Sequence, residues 1–362
     1  MNPAVAAIVE RVREAHAGAR PLRIRGGGTK DFYGETPTGD LLDVRTLVGA
    51  ADHEPTELVV TAPAGMPLVE REALLAAQGQ SLPFEPPRFA AGSTVGGMVA
   101  AGLSGPSRAA AGSLRDHLLG VTLVSGSGEL MHFGGRVIKN VAGYDVSRLI
   151  AGSLGILGVI VEVSLKVLAR AESEATLRFD CKPREGLAML HAWGARPLPL
   201  DASAWWNGSL VVRLRGSLAA VAEGERALGG DAIPALAAAP FWASLRDHTD
   251  QFFVAADDAI AHQDATLWRL SMPQTAPLLG LAGDELIEWH GAQRWLATAL
   301  PAAQVREAVA AAGGHATAFR SRDASIGAFT PLLPPLRAIH ERLKRSFDPK
   351  GILNPGRLYP GL

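Results

Sequence analysis

Gly152-Ser153-Leu154-Gly155-Ile156-Leu157-Gly158-Val159-Ile160 is the stretch that decides the fold. Three glycines spaced by three let the backbone approach its neighbours closely. From 158 to 168, β-branched and polar residues then alternate, the clearest strand pattern in the chain. The region 149–168 is the most apolar in the sequence, yet Glu162 and Lys166 interrupt it. A membrane span tolerates few charges over about 20 residues, so this is a buried strand with its approach loop.

Upstream, Arg136-Val137-Ile138-Lys139-Asn140-Val141-Ala142-Gly143-Tyr144-Asp145-Val146 leads into that stretch. A hairpin is predicted from strands at 118–124 and 129–133 around Ser125-Gly126-Ser127-Gly128. The N-terminal half opens with an amphipathic helix at 2–17 and short strands at 22–25, 41–44 and 57–62. A helix is predicted at 67–78, with Leu68, Ala73, Leu74 and Ala77 on its buried face. Beyond Ala169 the character changes to mixed segments holding all seven tryptophans. Strands are expected there at 175–179, 210–214, 266–271 and 285–290, and helices at 184–193, 218–228, 240–247 and 302–312. A last helix at 336–347 places Leu336, Ile339, Leu343 and Phe347 on one face. The spacing gives a domain of residues 1–172, a second of 173–335 and a C-terminal helix and tail of 336–362.

Two glycine-rich loops carry the chemistry. Arg25-Gly26-Gly27-Gly28-Thr29-Lys30 directly follows a strand, so N–H groups without neighbouring side chains can converge on an anion such as a diphosphate. It is neither a Walker A loop nor G-x-G-x-x-G, because Asp31 occupies the final glycine position. Ala91-Gly92-Ser93-Thr94-Val95-Gly96-Gly97-Met98-Val99-Ala100-Ala101-Gly102 offers hydroxyls beside paired glycines. Each loop is also compatible with plain tight packing. Their surroundings, 84–115, are poor in charge, which favours backbone wrapped around a ligand over a flexible linker.

The composition narrows the alternatives. The 362 residues are 48% hydrophobic and 20% charged, an ordinary globular balance. A net charge of −1 argues against nucleic acid as the main partner. Cys181 is the single cysteine, so the chain cannot by itself hold a disulfide framework, a structural zinc or an iron–sulfur cluster. Apolar Ala4–Val9 is followed at once by charges, so no targeting segment is expected and a cytoplasmic protein is.

Taken in order, these motifs resemble the vanillyl-alcohol-oxidase or PCMH-type FAD-binding family. There a glycine-rich loop after an early strand, a Thr-x-Gly-Gly segment and a Gly-Thr-Leu-Gly-like segment entering a long strand wrap FAD. Ile156 stands here where that last segment has Thr. The ending Asp348-Pro349-Lys350-Gly351-Ile352-Leu353-Asn354-Pro355-Gly356 is similar to that of the family's hydroxy-acid branch. The resemblance covers about 20–168 and 336–358. It implies an α+β protein in which two α/β subdomains clasp FAD and a cap domain with an antiparallel sheet covers the flavin. Arg25, Gly26, Gly27, Gly28, Thr29 and Lys30 would contact the diphosphate. Gly92, Ser93, Thr94, Gly96 and Gly97 would line diphosphate and ribose, with Ala101 and Ala111 near flavin or adenine. Gly158, Val159 and Ile160 would meet the adenine end, and Asn354 the isoalloxazine edge. The loops lack His and Cys, which implies non-covalent FAD.

Within that branch the chain looks like the smaller flavoprotein subunits of glycolate oxidase complexes. This implies oxidation of glycolate, or another 2-hydroxy acid, to glyoxylate, with electrons passed through flavin to an iron–sulfur subunit. The implied partners are a larger FAD-binding subunit, the iron–sulfur subunit and a small 2-hydroxy acid; any membrane association would be peripheral, at the inner membrane. The larger relatives carry closely spaced histidines and Gly-Glu-His-Gly. Here Gly313-Gly314-His315-Ala316-Thr317 stands in that place and none of the ten histidines forms a His-x-His pair. No metal ligands or catalytic base can be named. The readings left open are an electron-relaying FAD subunit, an assembly module without its own catalysis, and a stand-alone flavin alcohol oxidase. Lys139, Tyr144 and Asp145 either neighbour the flavin or order a loop. Arg320 and Arg322 either clamp a carboxylate or face solvent or a partner.

Overall fold

The computed structural model describes residues 2–135 and 144–362. Lys139 and the rest of the 136–143 motif lie outside the described residues. The chain forms two units: Met1–Leu103, Ser113–Ala169 and Pro331–Leu362 make the first, and Ser104–Gly112 with Arg170–Thr330 make the second.

The first unit starts with helix Pro3–Ala17, which Asn2 caps by accepting from the Ala4 N–H. Its Ile8, Val9, Val12 and Ala15 are buried. Strand Leu22–Arg25 then pairs in parallel with Asp40–Asp43, and it receives the tail on its other side, where the Leu22 N–H donates to Ile352 O at 2.7 Å. Beside this pair lies a five-stranded antiparallel sheet ordered Asp52–Glu54, Val59–Pro63, Val159–Lys166, Leu118–Val124 and Leu130–Gly134. The strand predicted after the deciding stretch is therefore the central one, which explains its unbroken apolar face. Its Val159, Val163 and Leu165 are fully buried.

Two helix faces differ from the expectation. Helix Leu68–Ala77 buries Leu68, Arg71 and Leu75, whereas Leu74 is 49% exposed. The stripe is rotated by one position, and an arginine takes the central inward place. Among the described residues the Arg71 guanidinium has no hydrogen-bond partner, and periodicity of apolar residues could not have found it. In helix Pro334–Phe347, only the C-terminal half buries its stripe: Phe347 is buried, but Leu336 and Ile339 are about half exposed.

The second unit is an eight-stranded antiparallel sheet. Its order is Asp231–Ile233, Ser173–Asp180, Ser209–Gly216, Leu200–Trp206, Asp284–Glu288, Gln293–Thr298, Thr266–Ser271 and His315–Arg320. Helix Ala235–Asp247 begins five residues before the predicted start, with Pro240 inside it. Ser104–Gly112 is tied into this unit by side chains: Ser107 Oγ donates to Asp201, Arg213 donates to both, and Trp289 Nε1 donates to Gly105 O. Arg320 pairs with Asp257 at 3.1 Å and Arg322 donates to Ala261 O, so helix Gln251–His262 engages both arginines.

The hairpin of this sheet carries a pH dependence. Glu288 is 4% exposed, and burial raises its carboxyl to about 7 against hydrogen bonds from Trp295 and Gln293 and the nearby Arg269 charge, with Asp250 adding to the rise. A carboxyl raised in the folded state keeps its proton after the unfolded chain has lost it. Its support for folding is complete below the unfolded value and is lost as pH climbs to about 7. Glu288→Gln should therefore stabilise the protein at alkaline pH, by about 2–3 kcal/mol, and flatten the Tm profile from mildly acidic to alkaline pH. A lower Tm than wild type in alkaline buffer would contradict this.

Candidate functional site

The largest opportunity for chemistry lies in the first unit, where strand Leu22–Arg25 ends in the Gly26–Lys30 loop. The loop forms one wall of a cleft with about 1050 Å³ of space free of protein atoms, counting its open mouth. Among the described residues, the backbone N–H groups of Gly26, Gly27, Gly28 and Thr29 have no acceptor. Half-buried N–H groups in a row are seldom left unpaired, so the loop is built to meet an external acceptor. The cations Arg23, Arg25, Lys30 and Arg357 also line the cleft. Arg25 is held by Asp31 at 2.7 Å, and Lys30 Nζ donates to Ser93 Oγ at 2.8 Å.

Glycine at 27 is a steric requirement. A Cβ there would stand 1.5 Å from the Gly92 carbonyl oxygen, so the two predicted loops touch backbone to backbone. Gly96 and Gly97 line the same cleft, but their N–H groups are already taken, by Ala64 O and Thr94 Oγ1. They contribute closeness rather than donors. A Cβ at Gly96 would come within 2.7 Å of Ala64 Cβ. Thr94 caps helix Val95–Ala101 and its hydroxyl lies over Gly26.

The remaining expected residues divide. Arg25 through Lys30, Thr94, Gly96, Gly97, Ala101, Gly158, Ile160 and Asn354 line the cleft. Gly92 and Ser93 support it from behind through Gly27 and Lys30. Val159 is fully buried in its strand, and Ala111 lies in helix Arg108–Ala111 of the second unit; neither lines the cleft. Ile156 is 3% exposed in the core, so its difference from the family's Thr does not alter the lining. Tyr144 is 96% exposed, while Asp145 caps helix Val146–Ile150 by accepting from the Arg148 N–H, the loop-ordering alternative.

The C-terminal motif acts as a clamp on these walls. Asn354 Oδ1 accepts from the Ile24 N–H and its Nδ2 donates to Leu154 O, each at 2.7 Å, which ties the first strand to the glycine stretch that opened the sequence reading. Arg357 donates to the carbonyls of Lys30, Asp31 and Glu35, fixing the outer turn of the loop. Sequence reasoning missed Arg357 and Arg23. Arg357 directly follows the quoted ending and could have been weighed; Arg23, an alternate residue on a short strand, gave no signal. Behind the clamp, Lys344 Nζ donates to Asp348 Oδ2, Ile156 O and Leu353 O within 2.7–2.8 Å. Burial lowers the Lys344 ammonium, and Asp348 pulls it back up.

A cleft with unpaired N–H groups, side-chain-free walls, several cations and apolar flanks from Ile24, Val44, Leu154 and Ile160 suits an elongated ligand carrying a diphosphate and flat rings. The comparisons agree. A family described as FAD binding domain matches residues 4–134. The chain is 42% identical over 356 residues to glycolate oxidase subunit GlcE of Escherichia coli (strain K12), covering 98% of this chain and 97% of that one. It is 30% identical over 159 residues to glycolate oxidase subunit GlcD of Bacillus subtilis (strain 168), 43% of this chain and 34% of that protein. Among solved structures, alkyldihydroxyacetonephosphate synthase superposes with a TM-score of 0.67 at 15% identity, covering 96% of this chain and 75% of that chain. This last likeness bears on fold alone.

Proposed function

From a chain that belongs to the glycolate oxidase GlcE family of FAD-binding proteins, we propose an electron-relaying role within a glycolate-oxidising complex. The chain is an FAD-dependent oxidoreductase subunit. Beyond that, our reading is that it works beside a larger FAD-binding subunit and an iron–sulfur subunit, and that the larger subunit removes hydrogen from the 2-hydroxy acid. Bound FAD supplies a two-electron acceptor. The observation that carries the reading is the row of unpaired N–H groups at Gly26–Thr29 in a cleft bordered by cations.

This chain's own residues hold and orient. The Gly26–Thr29 N–H groups and Lys30 would take the diphosphate, and Arg23 and Arg25 would neutralise its charge from the rim. Gly158 and Ile160 would flank the adenine end, and Asn354 would keep the walls at a fixed separation. Among the described residues the lining contains no His or Cys, and we infer that FAD is held non-covalently. We assign residues 1–172 with the 336–362 tail to cofactor binding and 173–335 to the cap.

The test is anaerobic glycolate added to the FAD-loaded chain alone and then with the larger subunit. The reading expects flavin absorbance to persist in the first case and to bleach in the second. Bleaching by the chain alone would make it a competent dehydrogenase and overturn the division of labour. No bleaching in either mixture, with the larger subunit active, would favour an assembly module.

A further inference from the structure

Helix Pro334–Phe347 buries its apolar stripe at one end only, and the cleft does not use the other end. Leu343 and Phe347 pack into the core of the first unit. Leu336 and Ile339 lie on the same helical face, yet they are 47% and 50% exposed. Leu333, the N-cap residue, is 69% exposed. Apolar side chains scattered singly over a surface are ordinary, whereas a contiguous row of them marks an interaction site. Residues three apart share one ridge of a helix. Leu333, Leu336 and Ile339 therefore stand in line, and Arg342 and Arg345 carry the line on towards the C-terminus.

Charge, shape and width decide what this ridge can meet. Arg337 pairs with Glu341 at 3.0 Å. Among the described residues, neither the Arg342 nor the Arg345 guanidinium has a hydrogen-bond or ion-pair partner, and both residues are exposed. An apolar row with two free arginines at one end complements an apolar groove closed at the matching end by carboxylates. Pro334 and Pro335 lock the first turn of the helix, so docking freezes little backbone. The exposed large apolar side chains form a single row, bordered by the Arg337–Glu341 pair. Such a row seats between the ridges of another protein, whereas a lipid surface calls for a broad apolar face. A second copy of this chain fits poorly, because two-fold pairing sets the arginines against each other or against Leu333.

We propose that the ridge of Leu333, Leu336, Ile339, Arg342 and Arg345 docks this chain onto the larger glycolate oxidase subunit, in an apolar groove that ends in carboxylates. The identity of the occupant rests on the function proposed above. The surface itself rests on the exposed row and its unpaired arginines. The apolar residues supply the affinity, and the arginines supply orientation and speed of encounter.

The experiment measures association and dissociation rates of the full chain, with FAD added, on the immobilised larger subunit at low and high salt. Leu336→Glu and Ile339→Glu should each weaken the complex about a hundredfold, chiefly through faster dissociation. Glutamate is a good helix former, so the helix survives both changes. Leu333→Glu, at the N-cap, should weaken binding in the same way without touching the helix interior. Leu236→Glu is the control: this leucine of the second unit is 94% exposed, and its loss should alter affinity by no more than about twofold. Arg342→Glu combined with Arg345→Glu should slow association about tenfold at low salt and much less at high salt. Circular dichroism and FAD content should not change in any variant. A wild-type complex that every ridge variant forms equally well overturns the docking face and leaves the partner reading standing. A wild-type chain that does not bind the larger subunit overturns both. Ridge-dependent binding to vesicles of phosphatidylcholine and phosphatidylglycerol, or ridge-dependent dimers, with the subunit complex intact in the variants, also overturns the proposal.

Discussion

Gly27→Ala should yield a colourless protein. The new Cβ would stand 1.5 Å from the Gly92 carbonyl oxygen and 2.5 Å from its carbon, both backbone atoms that cannot swing aside. The two loops must therefore part, and the row of N–H groups at Gly26–Thr29 loses its alignment. Overpacking of this kind costs upward of about 3 kcal/mol, which in FAD affinity is roughly a hundredfold. Gly194→Ala is the control, because no atom stands within 4 Å of its Cβ. FAD content after purification and the affinity for added FAD are the readouts. A Gly27→Ala chain holding FAD at the wild-type stoichiometry would show that the loops do not grip the cofactor.

Asp348→Ala should cost the first unit more stability than any other single change at its C-terminus. Asp348 is 1% exposed and Lys344 5%. The carboxylate accepts from Lys344 Nζ and from the N–H groups of Ile352 and Leu353. Removing it leaves a buried ammonium without its counter-charge and strands two N–H groups, a loss of about 3–5 kcal/mol. For a unit of this size that is a fall in Tm of roughly 10 °C. Because Asn354 follows directly, the clamp between Ile24 and Leu154 should loosen with it, and FAD affinity should fall in parallel. Thermal melts monitored by both circular dichroism and flavin release check this; an unchanged Tm would contradict it.

How far the sequence could be read follows from what each signal depends on. Backbone-driven features were legible. The glycine loops, the strand after Gly158 and the Asp348–Gly356 ending are local patterns, and the structure brings the two glycine loops together at Gly27 and Gly92. Side-chain roles set by distant partners were not. Asn354 lines the cleft, but the work of its amide, which joins Ile24 to Leu154 on two separate elements, is invisible in the local pattern. Gly96 and Gly97 line the cleft as their motif implies, but that their N–H groups are used internally is set by Ala64 and Thr94 and not by the pattern. The inward stripe of helix Leu68–Ala77 was misjudged because an arginine occupies it. Glu288 and Arg269 left no trace in the pattern at all. Their significance arises only when a hairpin with left-handed residues folds them against Gln293 and Trp295.

The account stands most directly on the visible absorption spectrum of the purified chain, with its FAD content quantified after acid release. It predicts oxidised-flavin bands, one FAD per chain, and full release of the cofactor by acid, as non-covalent binding in the first unit's cleft requires. A chain that shows no flavin bands, and that gains none when free FAD is added in excess, would contradict it.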